Sequence, residues 1–127
     1  MDAVLTSALL ACETDLDGAI RRFSGDETLY TKCLTEFLED TTMDSLNKAI
    51  AAEAWDHAFT AAHALKGLAG NMGFIPLYHA VAELVMMIRA GRLKEIEASN
   101  KEVCKRYREI FDAICTCCPA EPKGEAE

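Results

Sequence analysis

Apolar residues recur three and four positions apart in every stretch between turn residues, and no stretch alternates with period two, so the pattern predicts helices throughout. A short leading segment carries Val4, Leu5, Leu9 and Leu10, and a second runs from Leu16 to Phe23 and stops at Ser24-Gly25. Ser24 followed by Glu27 fits a capping box, in which the serine oxygen takes a free backbone N–H and the glutamate reaches back, so a helix is predicted to begin there. Its stripe is Tyr30, Cys33, Leu34 and Phe37, then Leu46 and Ile50, with a bend or break at Thr41-Thr42, where Thr41 and Asp44 offer a second cap. The following boundary falls loosely between Ala52 and Trp55. Gly73 is a C-terminal cap for the next helix, and Pro76 suits the first turn of its successor. That successor carries Leu77, Val81, Leu84 and Ile88 and stops at Gly91, and the last helix spaces Leu93, Ile96, Val103, Tyr107, Ile110 and Ile114 at helical intervals. Four long amphipathic helices with short links predict an all-α fold, an antiparallel four-helix bundle with one or more short additional N-terminal helices. A single domain is expected over residues 1–118, with the polar residues 119–127 as a flexible tail.

Composition narrows the classes. A chain of 127 residues makes one domain that buries enough surface to need neither disulfides nor a metal. With 50% hydrophobic and 27% charged residues it is neither disordered nor collagen-like. Thirteen basic against twenty-one acidic residues, a net charge of −8, argue against nucleic acid as a partner, because phosphate binding needs a basic excess. Apolar runs such as Leu84 to Ile88 are far short of the ~20 residues of a membrane span, so no membrane association is expected. Leu9-Leu10-Ala11-Cys12 has the outline of a lipoprotein cleavage box, but Asp2 stands where a basic segment belongs, so a cytoplasmic location and reduced cysteines are expected. Cys12, Cys33 and Cys104 are scattered, and Cys115, Cys117 and Cys118 lack the spacing of a zinc site, so no metal or cofactor is predicted. The absence of a Gly-rich loop after a strand leaves no nucleotide site.

The informative segment is Ala58 to Gly73. Ala58, Ala62, Leu65, Ala69 and Met72 follow intervals of four, three, four and three, a buried stripe of mostly small residues that lets helices approach closely. Phe59, His63, Lys66, Gly67 and Gly70 occupy the neighbouring face. Each glycine inside a helix costs about 0.5 to 1 kcal/mol relative to alanine, yet two stand at i+4 and i+7 from His63, where their missing side chains clear space above the imidazole. Lys66 at i+3 sets a positive charge on the same side, worth about 1 kcal/mol to an anionic group on the ring once exposure is allowed for. His57, six residues from His63, points to another face, which argues against a paired-histidine metal site, and His79 is expected at a rim.

His63-Ala64-Leu65-Lys66-Gly67 followed by Ala69-Gly70-Asn71-Met72-Gly73-Phe74 resembles the phosphoacceptor motif of histidine phosphotransfer domains, and Phe23-Ser24-Gly25-Asp26-Glu27 with Leu29-Tyr30 and Phe37-Leu38 resembles the bacterial members. The resemblance implies a four-helix bundle that shuttles phosphoryl groups to and from aspartates of response-regulator receiver domains, or takes them from a hybrid sensor histidine kinase. The receiver would supply the magnesium, and the domain itself, working as a monomer, would need no ATP site. By motif position, His63 would be the acceptor, Lys66 its charge partner and Gly67 the residue giving the receiver room, with Phe59 and Gly70 also on the partner-binding face. Two departures stand out. The Gly-Asp-Trp common before the acceptor helix is replaced by Glu53-Ala54-Trp55-Asp56, and Val85 occupies a position often held by a Glu or Gln that hydrogen-bonds the second ring nitrogen. The alternative from another class is a noncatalytic helical adaptor with a vestigial His63 and the methionine-rich run of Leu84 to Ile88 as docking surface. On the first reading those methionines are core filling.

Overall fold

The computed structural model describes residues 1–117, which form seven helices in chain order. These are α1 (Ala3–Ala11), α2 (Leu16–Arg22), α3 (Glu27–Phe37), α4 (Thr42–Ala51), α5 (Trp55–Met72), α6 (Ile75–Ala90) and α7 (Leu93–Cys117). Among the described residues no strand forms beyond an isolated bridge between Thr14 and Phe74. The expected tail and Cys118 lie outside the described residues.

Helices α4 to α7 pack in sequence, each on the next, through the stripes read from the sequence. Ala58, Ala62, Leu65, Ala69 and Met72 of α5 are all buried, against Leu77, Val81, Leu84 and Val85 of α6 and the α7 residues Ile96, Val103, Ile110 and Ile114. This is the expected bundle. Helix α1 lies along α7 and buries only Leu5 and Leu9, leaving Val4 and Leu10 exposed. Leu93 is also exposed, at the rim of a groove beside Ile50 and Trp55, and Met86 is 67% exposed, so it is not the core filler that apolar patterning suggests.

The three short leading helices start alike. Asp2, Asp15 and Asp26 each accept the backbone N–H three residues on, from Leu5, Gly18 and Leu29 at 2.9, 3.1 and 3.0 Å. A carboxylate there satisfies an orphan donor and complements the helix dipole. The capping box expected at Ser24 does not form: Ser24 and Gly25 have positive φ angles of 57° and 78° and make the turn, and Asp26 is the cap. At α4 the Thr41 side chain makes no cap bond, and Asp40 accepts from Thr42 N at 2.8 Å instead, while Asp44 pairs with Lys48. Gly73 and Gly91 end α5 and α6 in the left-handed conformation, as their spacing predicted.

Candidate functional site

Helix α5 carries the site, and its C-terminal end is held from outside the bundle. The backbone N–H of Phe74 reaches Ala69 O at 2.9 Å, closing the helix over Gly73. The carbonyls beyond it go to the leading helices. Arg22 donates from Nη2 to Gly70 O at 2.8 Å and from Nε to Asn71 O at 3.2 Å. The Tyr30 hydroxyl donates to Met72 O at 2.7 Å, and Asp15 N donates to Gly73 O at 2.8 Å. Helix ends leave carbonyls without intrahelical partners, so this set orders the end of α5 and adds a cation to the negative end of its dipole. Burial pushes the Tyr30 hydroxyl above its ordinary range, only partly opposed by Arg22, which keeps it protonated as a donor. A Cβ at Gly73 would stand 2.6 Å from Asp15 O, so glycine is required there by a close backbone approach as well as by its φ of +80°.

His63 stands midway along the 18-residue α5 and is exposed. Its ring stacks on Phe59, one turn earlier, with centroids 6.1 Å apart and planes within 9°. The Arg89 guanidinium of α6 sits 5.5 Å from the Phe59 ring centroid, a cation–π contact on this face. On the other side of His63 a cleft of about 420 Å³ opens, lined by Arg22, His63, Lys66, Gly67, Gly70, Asn71 and Tyr78. Lys66 places its ammonium 5.8 Å from the Tyr78 ring centroid, so α6 steadies the lysine that the sequence assigned to His63. No described side chain hydrogen-bonds the His63 ring, and Val85, buried on α6, has no group with which to do so.

The two glycines beside His63 separate by cause. A Cβ on Gly70 would meet the Tyr78 ring at 3.2 Å, so that glycine lets an aromatic ring lie against α5. A Cβ on Gly67 would meet nothing within 4 Å. Packing therefore explains Gly70 and leaves Gly67 as an open gap next to the imidazole, at a cost of about 0.5 to 1 kcal/mol to the helix.

The structure thus brings Phe59, His63, Lys66, Gly67 and Gly70 to one face. His57 lies apart, lining a second cleft of about 500 Å³ between α4 and α5 with Thr41, Thr42, Ser45, Thr60, Ala61 and Ala64. His79 is exposed on α6 against Tyr78. Sequence reasoning gave no role at the site to Arg22, Asn71, Tyr78 or Arg89. Periodicity says which residues share a helix face but not which other helix they meet. The five described cysteines are free, and among the described residues no group of three His, Cys, Asp or Glu side chains is arranged to hold a metal ion. No helix among them is long and apolar enough to cross a membrane.

Comparison with known families gives a match to the family described as Hpt domain over residues 32–114, from within α3 to near the end of α7. Neither the curated proteins nor the solved structures compared with the chain gave a match.

Proposed function

Because the chain belongs to the Hpt domain family, whose members carry phosphoryl groups in phosphorelays and are not kinases, we propose that His63 is its phosphoacceptor. The observation that carries this reading is an exposed imidazole at mid-helix beside Gly67, whose missing side chain leaves open space that packing does not require. An acceptor must be reached by the active site of another protein, and a gap next to the ring admits it.

The donor in this reading is the aspartyl phosphate of a receiver domain. The imidazole nitrogen lone pair forms the P–N bond as the P–O bond to the carboxylate breaks, and the carboxylate leaves with the electron pair. The ring keeps the hydrogen on its other nitrogen, and the reverse transfer restores the starting groups. Charge on the phosphoryl oxygens is met by Lys66, and the receiver brings the magnesium that such a transfer uses. Gly67 and the stacked Phe59 form the contact face, with Met86 one turn from Arg89 extending its apolar rim. Arg22, Lys66 and Arg89 make this face locally basic on a chain of net charge −8, which suits an acidic receiver pocket.

The adaptor reading draws on Val85 and on the 67% exposure of Met86. One experiment separates the two. The full chain is incubated with a panel of phosphorylated receivers, and acid-labile phosphate is measured on the native protein and on His57→Gln, His63→Gln and His79→Gln. Labelling of all but His63→Gln is expected. Labelling that persists in His63→Gln contradicts the assignment, and binding to a receiver without labelling favours the adaptor.

A further inference from the structure

Arg22 is the one cation in the His63 cleft that belongs to neither of the two helices forming the motif face. It comes from α2, before the residues matched by the family, and crosses to the end of α5. Its position is fixed by two hydrogen bonds to consecutive carbonyls, Gly70 O and Asn71 O. A guanidinium has five N–H donors, so these two bonds leave further donors for other partners. His63 and Gly70 are seven residues apart, which sets Arg22 about 10 Å along the axis from the ring, with Lys66 between them. The cleft therefore runs from the imidazole past Lys66, set over the Tyr78 ring, to Arg22, held by two hydrogen bonds. Nothing in the packing of α5 requires the partner of its carbonyls to be charged, since the neutral Tyr30 hydroxyl serves Met72 O next to them.

We propose that Arg22 assists phosphotransfer through its charge: from its place at the end of α5 it keeps a positive charge in the cleft, and that charge shifts the transfer equilibrium toward phosphohistidine. The proposal rests on His63 being the acceptor. When the phosphoryl group leaves the aspartate oxygen and bonds to the ring nitrogen, its negative oxygens arrive at the mouth of the cleft, and the carboxylate charge stays with the receiver. A positive charge in the cleft then favours the histidine side of the exchange. At about 10 Å the effect is Coulombic, through partly screened space, and amounts to roughly threefold to tenfold in the equilibrium at low salt.

The test is the equilibrium share of phosphate between receiver and full-length chain, measured for the native protein, Arg22→Gln and Arg22→Lys, with thermal unfolding of each. Both variants give up the paired carbonyl bonds, and only Arg22→Gln gives up the charge. The account expects both to unfold at lower temperature, Arg22→Gln to lose about threefold to tenfold of the phosphohistidine share, and Arg22→Lys to stay within about twofold of native. Raising ionic strength to about 0.5 M should close most of the gap between native and Arg22→Gln. An unchanged share in Arg22→Gln overturns the proposal, as does an equal loss in both variants, which would assign the effect to the helix end and not to charge. If Arg22→Gln does not fold, Arg22→Lys decides: a share more than about twofold below native overturns the proposal, and a native share that falls with salt while Arg22→Lys tracks it supports it. Failure of the native chain to take phosphate on His63 overturns the acceptor assignment instead, an outcome read directly from the native protein.

Discussion

Helix α5 carries two histidines, each opening on a cleft, and the clefts differ in ways that their size and their histidine do not predict. That of His57 is slightly the larger, about 500 Å³ against about 420 Å³, and is lined by the methyls of two alanines and the hydroxyls of Thr41, Thr42, Ser45 and Thr60. That of His63 has two cations, an aromatic ring and two glycines. The hydroxyl-lined groove has no lysine or arginine to meet a phosphoryl group, and Ala61, four residues after His57, stands where Gly67 stands four residues after His63. What marks a site for an approaching anion here is the side chain that is absent and the charge beside the gap. Cavity volume alone ranks His57 above the proposed acceptor.

The largest expected effect comes from exchanging those features. Gly67→Leu places its side chain in open space, so the fold should stay intact, while the gap over His63 is filled and labelling by a phosphorylated receiver should fall by roughly a hundredfold. Ala64→Leu, on the His57 side, should change labelling by less than about tenfold, a barrier change under ~1.4 kcal/mol. Equal rates for Gly67→Leu and the native chain would show that the gap does not gate access.

Stability should divide the glycines differently. Gly73→Ala meets Asp15 O at 2.6 Å and adopts a φ of +80°, so a loss of at least about 2 kcal/mol is expected in denaturant unfolding. Gly67→Ala meets nothing and should gain about 0.5 to 1 kcal/mol as an ordinary helix-interior substitution. A loss at Gly67 would mean that its place is structural, which would remove the main argument for an open acceptor site.

The core of α5 was legible because Ala58 to Met72 repeats at the helical period, and Gly73 and Gly91 were legible because chain reversal after a helix favours a left-handed residue. The start of α3 was misread because two local capping schemes overlap. Ser24 and Glu27 match one pattern, but the carboxylate of Asp26 is better placed to meet Leu29 N, and Ser24 is used in the turn. Arg22 was invisible for another reason. Its partners lie 48 and 49 residues away, and its spacing within α2 carries no trace of them. The site was readable as a face of one helix, and its walls, supplied by α2 and α6, were not.

A subtler contrast lies on α6. Val85 is buried and has no polar atom to offer a ring nitrogen, and the ring partner described for His63 is the stacked Phe59. Val85→Gln should therefore change transfer within about tenfold, ~1.4 kcal/mol in the barrier. A gain of several hundredfold would mark the native chain as a weakened carrier and favour the adaptor reading. The smallest effect is expected at alkaline pH. Burial raises the folded-state pKa of Tyr30, so the unfolded chain ionises first, and the stability that its neutral hydroxyl contributes is fully present below about pH 10 and lost as pH rises above it. Tyr30→Phe should flatten that alkaline slope in unfolding experiments.

The central claim is tested most directly by proton–phosphorus correlation NMR on the full chain after labelling by a receiver, with all three histidines present. The account predicts one phosphorus signal, coupled to the ring protons of His63 and lost in His63→Gln. A signal coupled to His57 or His79, or one that survives the His63 substitution, would contradict it.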